Sequence, residues 1–360
     1  MDKGDLKKII SKFPRANILV VGDLILDQYI WGTVERVSPE APVPVVWAKK
    51  RTYVPGGAAN VASNIRALDG RVSLAGVIGR DAQAQILCAE LKKRKIDISG
   101  LISQQQRHTT LKTRVIAGHQ QVVRVDWEHI DPLAPELNRK IIRFIEKNIP
   151  KFDALIIEDY GKGVINEPLL KGLISIAHSR KKIITVDPKE EHFQYYRGVS
   201  SITPNRKELE NAVRNLKLKD TSNKFKLSRD RLQSAPDIDR AAGAVMRYLS
   251  LDSLLVTLGE QGMKLFESEG NSTYISTVAQ EVFDVSGAGD TVISVFSLGL
   301  ACGADKPLSA RLANYAAGIV VEKLGTAVTT REELLNRIQT WKATEASKAS
   351  KAIRTTGVKG

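Results

Sequence analysis

Residues 16–29 read ANILVVGDLILDQY. Ile18 to Val21 form an apolar run without polar alternation, and Gly22-Asp23 close it. This is the pattern of a strand covered on both faces whose carboxyl end carries polar groups. It returns as VSLAGVIG (72–79), ALIIED (154–159), KIITVDP (182–188), SSITPN (200–205) and SLLVTLG (253–259), mostly separated by stretches long enough for a helix. That alternation predicts an α/β fold of three layers, with a central, mostly parallel sheet between helices. Asp159, Asp187, Asn205 and Gly259 lie at or near the ends of these runs, and ligands of open sheets bind beyond the carboxyl ends of the strands, so these residues are expected to converge.

Two stretches depart from the pattern. Residues 28–54 and 108–128 are rich in Val, Thr and aromatics with polar residues interleaved, and neither has a helical period. They predict antiparallel strands of a small second sheet, a lid over the site. Residues 215–237 are polar and basic and read as a surface excursion.

With 360 residues, 42% of them hydrophobic, the chain can bury a sizeable core. Its longest weakly polar stretch, Thr291 to Ala304, falls short of the roughly 20 residues of a membrane span, so no membrane partner is expected. The opening MDKGDLKKIISKF lacks the apolar block of a secretory signal, and a cytoplasmic location is expected. Cys88 and Cys302 make no disulfide framework, and no two of the five histidines stand at the i, i+4 spacing of a helical metal site. The net charge of +14 suits a nucleic acid, an anionic small substrate or a solvated surface. Seven basic residues against three acidic ones lie between Arg331 and Gly360, and 341–360 reads as a basic, disordered tail. No nucleic-acid motif accompanies the charge and the aromatics are not interleaved with it, so no nucleic-acid partner is expected.

The chemistry concentrates in DVSGAGD, residues 284–290, directly before the apolar run TVISVFSLGLA. Gly287 and Gly289 permit unusual backbone conformations, and a helix start there aims unpaired N–H groups at one point, where an anion fits. Asp290 at the same place can accept a proton from an attacking hydroxyl, or it can simply cap the helix. No G-x-x-x-x-G-K-[ST] occurs, so a Walker-type phosphate grip is not indicated.

VPGGAANVASNIRALDG (54–70) and DVSGAGDT (284–291) resemble the two signature regions of the ribokinase-like (PfkB) carbohydrate kinases. TPNRKEL (203–209) is similar to that family's N-x-x-E element and VTLGEQG (256–262) to its nucleotide-side strand and turn, all four in the family's order. The resemblance spans a kinase domain of about residues 12–340. A narrower one, to the kinase half of the bacterial heptose enzymes of lipopolysaccharide synthesis, rests on VVGDLILDQYIWGTVERVSPEAPVPVV (20–46), GHQQVVRVD (118–126), DYGKG (159–163) and LANYAAGIVVEKLGTA (312–327). Those kinases phosphorylate D-glycero-D-manno-heptose 7-phosphate at its anomeric hydroxyl. The sequence stops soon after the kinase region, so the likeness is to the stand-alone kinase.

The resemblance implies ATP and Mg2+ as cofactors, allows a monovalent cation, and suggests a homodimer clasped through the lid strands. It implies Asp290 as base, Gly287, Ala288 and Gly289 as anion hole, and Asp284 as the brace of that loop. Asn205 and Glu208 would organise Mg2+ and phosphates largely through water. Thr257 and Gly259 would border the nucleotide, Asn314 would approach the adenosine, and Lys189 would reach a phosphate. On the sugar side stand Asp27, Gly56, Gly57, Asn60, Asp159 and Lys162. Arg36, Arg114 and Arg124 in the lid would supply at least one guanidinium for a phosphate the substrate already carries. Helix capping and solvation are the structural roles these polar residues would otherwise have. Two alternatives stand beside a heptose phosphate kinase: a kinase for another phosphorylated sugar or a nucleoside, and a non-enzymatic sugar- or nucleic-acid-binding protein on the same fold.

Overall fold

The computed structural model describes residues 3–118, 120–220, 225, 227, 230–279 and 281–341. Its strands, in chain order, are β1 (Asn17–Gly22), β2 (Leu24–Val37), β3 (Pro44–Gly57), β4 (Arg71–Gly79), β5 (Asp97–Gln104), β6 (Thr110–Ala117), β7 (Gln120–Trp127), β8 (Ala154–Glu158), β9 (Ile183–Asp187), β10 (Ser201–Ile202), β11 (Ser253–Thr257), β12 (Met263–Glu267) and β13 (Ser272–Ile275). Nine form one sheet in the order β13-β12-β11-β10-β9-β8-β1-β4-β5. Pairing is parallel from β5 to β11, and β12 and β13 finish that edge antiparallel.

The unalternating run of β1 is explained by its place inside this sheet. Ile18 and Val20 enter the core formed with helices Ala58–Ala67, Ala288–Ala301 and Lys306–Val320, whereas Leu19 and Val21 enter the core on the opposite face with helices Pro135–Asn148, Glu167–Ser179, Arg206–Lys219 and Ala235–Leu249. Neither face of the strand meets water, and the three expected layers result. TVISVFSLGLA is likewise buried on all sides: every residue from Asp290 to Gly299 of helix Ala288–Ala301 is buried. Its hydroxyls are satisfied internally, Ser294 by the carbonyls of Val61 and Asp290 and Ser297 by Thr185. Among the described residues no helix is long and apolar enough to cross a membrane.

The two irregular stretches build a second sheet in the order β3-β2-β6-β7. Hairpins β2/β3 and β6/β7 are antiparallel, and they meet through a parallel β2/β6 pairing, Asp27 opposite Lys112 and Tyr29 opposite Arg114. The 215–237 segment is more ordered than expected at both ends: a helix continues to Lys219 and another starts at Ala235, while Phe225 and Leu232 are buried in the core. Residues 342–360, most of the basic tail, lie outside the described residues.

Candidate active site

Gly287 decides the local geometry of the DVSGAGD loop. It caps helix Ala288–Ala301 with φ at 78°, a left-handed conformation that disfavours a side chain, and a Cβ there would stand 2.9 Å from Asn60 Nδ2. That amide donates to Asp290 Oδ2 at 2.6 Å. The hydroxyl of Tyr160 donates to Asp290 Oδ1 at 2.9 Å, so both carboxylate oxygens are oriented. Asn60 is held in turn by Asn64, whose amide reaches its backbone oxygen at 3.0 Å and whose own oxygen accepts from Thr291 at 3.0 Å. Burial raises the carboxyl of Asp290 above its ordinary range, and the bonds from Asn60 and Tyr160 oppose that rise. A buried, doubly oriented carboxylate whose basicity is raised suits proton abstraction better than helix capping.

The loop's N–H groups divide unequally. The amide of Ala288 is spent on the carbonyl of Val285 at 3.2 Å, which leaves Gly289 and Asp290 as the free first-turn donors among the described residues. Asp284 accepts from Ser286 N at 2.9 Å and from Gly325 N at 3.0 Å.

Behind Asp290 lie two more carboxylates. Ligand oxygens of Glu158, Asp187 and Asp290 come within 4.8 Å of one another. Glu158 is wholly buried, and among the described residues no hydrogen-bond donor reaches either of its oxygens. Burial, then the charges of Asp187 and Asp290, raise its carboxyl well above the ordinary value and so favour its protonated form. The folded protein keeps a proton that the unfolded chain releases, so this contribution to stability is full below about pH 4.5 and is lost as pH rises. Glu158→Gln, which copies the protonated shape, is therefore expected to raise the thermal midpoint at about pH 8 and to flatten its decline with pH. A lower midpoint for the variant at that pH would contradict a neutral Glu158.

Asn205 and Glu208 form a reciprocal capping box at the start of helix Arg206–Lys219: Asn205 Oδ1 accepts from Glu208 N at 3.0 Å and Glu208 Oε2 accepts from Asn205 N at 2.8 Å. The capping role is thus real, and it leaves Glu208 Oε1 for a further partner. Burial raises the Glu208 carboxyl, and its charge reaches Asp187. Thr257, Gly259, Ala288, Gly289 and Asn314 together line a cavity of about 480 Å³ next to that helix start. Its other walls include Val282, Val285 and Val292, an apolar slot suited to a flat ring. Asn314 is fixed by a bond from its amide to Ser276 O at 2.8 Å. Lys189 is not among the lining residues; its ammonium lies 3.2 Å from Glu190 and 3.6 Å from Glu191.

On the other side of Asp290, residues 159–164 form a loop hung on Asp23. This buried carboxylate accepts the backbone N–H groups of Tyr160, Lys162 and Val164, each at 3.0 Å. Burial and the charge of Asp159 push its carboxyl up to about 6, so it is ionised at neutral pH and can accept all three. Asp159 turns away from Asp290: it accepts from Tyr196 and meets His192 Nδ1, both at 2.7 Å, and it receives Gly161 N at 2.9 Å. Its geometry is that of a loop brace rather than a sugar ligand. Gly57, at φ 56°, caps helix Ala58–Ala67, and a Cβ there would meet the carbonyl of Asp23 at 2.6 Å. Gly56 packs against the carboxylate of Asp27.

The three lid arginines separate. Arg114 is paired with Asp27 at 2.5 Å and lies over the ring of Tyr29, so the structure joins two expected site residues to each other. Arg124 is half-exposed and bonded to Asp126 at 3.0 Å. Arg36 is exposed near the outer end of β2, nine residues past Asp27 and beyond two register shifts, and among the described residues nothing brings it to Asp290. Lys162 is tied to Glu128 at 2.7 Å. In the sequence Asp23 shows only as the polar end of the first strand and Tyr160 only within DYGKG, while Glu158 and Lys112 carry no site signal.

A ribokinase-type α/β core, a small sheet beside its carboxyl ends and a glycine-capped helix carrying a buried carboxylate define the class. Residues 15–333 match the model for the pfkB family carbohydrate kinases, and the chain belongs to that family. It is a carbohydrate kinase. Bifunctional protein HldE of Trichlorobacter lovleyi is 42% identical over 334 residues, covering 92% of this chain and 65% of that protein, and HldE of Helicobacter pylori is 42% identical over 317 residues, covering 88% and 65%. The chain thus spans slightly less than two thirds of these relatives' length. Among solved structures, Arabidopsis thaliana ribokinase complexed with ribose and ATP superposes with a TM-score of 0.68 at 17% identity over 90% of this chain and 98% of that one. Phosphofructokinase-2 of Escherichia coli in complex with substrates and products superposes with a TM-score of 0.71 at 17% identity over 91% and 99%. These two likenesses speak for the fold alone.

Proposed function

We propose that this kinase transfers the γ-phosphoryl group of ATP to the anomeric hydroxyl of D-glycero-D-manno-heptose 7-phosphate, giving the 1,7-bisphosphate in the cytoplasmic supply of lipopolysaccharide core precursors. The carrying observation is Asp290, buried and aimed by Asn60 and Tyr160, at the first turn of a helix whose Gly289 and Asp290 amides have no partner among the described residues. The narrower choice of substrate rests on the likeness to the heptose enzymes and on the HldE relatives.

In the proposed reaction Asp290 takes the proton of the attacking hydroxyl, the hydroxyl oxygen bonds to the γ-phosphorus, and the bond to the β–γ bridging oxygen breaks, with ADP leaving. The free amides of the loop and the helix dipole meet the charge on the transferring group. The adenine ring would lie in the slot between Val282, Val285 and Val292, bordered by Thr257, Gly259 and Asn314. The donor set is all oxygen, with Glu208 Oε1 uncommitted by the capping box, which fits a hard divalent cation. Asn205 and Glu208 would hold Mg2+ largely through water, and the ion when bound neutralises phosphate charge. Asp27 faces the sugar, and Gly56 and Gly57 bring the backbone close to it. The small sheet acts as a lid that excludes water from the transfer. Its apolar surface, with Trp47 64% and Trp127 62% exposed, is proposed as a homodimer contact.

Phosphorus NMR of the reaction with magnesium-ATP and heptose 7-phosphate tests this reading. It predicts a new phosphate resonance coupled to the anomeric proton; a phosphate on any other oxygen, or none, would contradict it.

A further inference from the structure

The chain leaves the nine-stranded sheet for the small one twice and returns twice, and these four crossings meet around the loop of residues 159–164. Asp23 stands in the first crossing, between β1 and β2, and holds the loop's N–H groups. The second crossing joins it where Ala58 N donates to Asp23 O at 3.0 Å. The fourth, between β7 and helix Pro135–Asn148, reaches the loop through Leu133 N on Gly163 O at 3.0 Å and through Glu128 on Lys162 at 2.7 Å. The third, between β5 and β6, carries Arg107.

Arg107 is 7% exposed, and its guanidinium donates to three backbone carbonyls: through Nη1 to Asp131 at 3.1 Å, and through Nη2 to His129 at 2.9 Å and to Lys162. Burial lowers its affinity for the proton, and the charges of Asp23 and Asp131 partly offset that, so the group stays a cation. Lys162 is thereby gripped at both ends, its N–H by Asp23 and its carbonyl by Arg107. Gly163, at φ 82°, makes the close approach possible: a Cβ there would collide with the carbonyl of Asp131 and stand 2.9 Å from Arg107 Nη2. A planar fork can hold carbonyls of two separate segments in one fixed relation, which the point charge of an ammonium does less exactly. Two residues before Lys162 in the same loop stands Tyr160, whose hydroxyl aims Asp290 Oδ1.

We infer that Arg107 is a positioning residue for phosphoryl transfer: it fixes the loop from which Tyr160 aims Asp290, and ties that loop to both crossings of the β6/β7 hairpin. This rests on the kinase reading, with Asp290 as base, and deepens it. Arg107 acts through the loop and not on the reacting atoms. Without it the loop keeps the three bonds to Asp23 but loses its tie at the Lys162 carbonyl and to the return crossing at His129 and Asp131. Asp290 is then left to the single firm bond from Asn60. The nucleotide cavity, built from residues 257–321, is untouched.

A double-mutant cycle on the full chain tests this. Sugar-dependent ADP release is measured on whichever of heptose 7-phosphate, fructose 6-phosphate and ribose the wild type turns over fastest. The variants are Arg107→Met, Tyr160→Phe, the two combined, and Arg107→Lys. A misplaced base should lower kcat about 100-fold in Arg107→Met, while the KM for magnesium-ATP stays within about twofold. Arg107→Lys, which keeps the charge and part of the bonding, should lose only about 10-fold. Because Arg107 acts through Tyr160, the combined variant should fall within about threefold of the slower single one, whereas independent effects would multiply. Thermal unfolding shows which variants fold, and Arg107→Lys takes the place of Arg107→Met in the cycle if the latter does not. Multiplying losses, a wild-type kcat in Tyr160→Phe, or a folded Arg107→Met within about threefold of wild-type kcat overturns the inference. A wild type inactive on every sugar overturns the kinase reading instead, and the role of Arg107 falls with it.

Discussion

Asp290→Asn is expected to lower kcat by about a thousandfold or more while magnesium-ATP binds within about twofold of wild type. The expectation follows from where Asp290 sits. Its backbone belongs to the first turn of helix Ala288–Ala301, and its side chain does not cap that helix; Gly287 does. Its two oxygens instead accept from Asn60 and Tyr160, residues brought from two other elements across 230 and 130 positions of sequence. A carboxamide keeps the size of the group and one acceptor, so the fold and the nucleotide cavity should survive. It has no basic site for the hydroxyl proton, so transfer should stop. Turnover within about tenfold of wild type would remove Asp290 from the role of base.

Asp23→Asn has the second-largest expected effect, although Asp23 touches no proposed substrate. Its ionised carboxylate accepts three backbone N–H groups from residues 160–164, and a carboxamide turns an NH2 toward at least one of them. Leaving buried donors unpaired at a charged acceptor costs about 3 kcal/mol, and in a chain of this size that lowers the thermal midpoint by several degrees. The same loop carries Tyr160, which aims Asp290, and Lys162, so kcat should fall about 100-fold as well. Thermal unfolding and ADP release on the same preparation check both parts. A variant with wild-type midpoint and wild-type kcat would show that the loop holds its shape without Asp23.

Legibility in the sequence followed the range of the interactions. The runs around Ile18–Val21, Leu155–Ile157 and Leu254–Val256 show burial on both faces, because a parallel strand under two helix layers has no polar face to alternate. The glycines of DVSGAGD and of VPGGAAN were legible because the backbone itself, at Gly287 and Gly57, needs them. N-x-x-E was legible only as two readings at once, and the capping box between Asn205 and Glu208 shows that one does not displace the other. What failed was partnership. Asp159 carries a carboxylate at a strand end, as a sugar ligand would, yet Tyr196 and His192 approach it from behind. Arg114 and Arg124 look alike in sequence, and only the register of β6 with β2 decides that Arg114 meets Asp27. Lys112 reads as an ordinary strand lysine until Tyr160 is brought beneath it.

The most direct test of the central claim, that this site moves a phosphoryl group from ATP to a sugar hydroxyl, is sugar-dependent ADP release by the purified protein in magnesium-ATP, measured against heptose 7-phosphate, heptose, fructose 6-phosphate, ribose and adenosine. Rapid release with heptose 7-phosphate, abolished by Asp290→Asn, is the expected result. Release that is the same with and without every sugar, or that persists in Asp290→Asn, would contradict it.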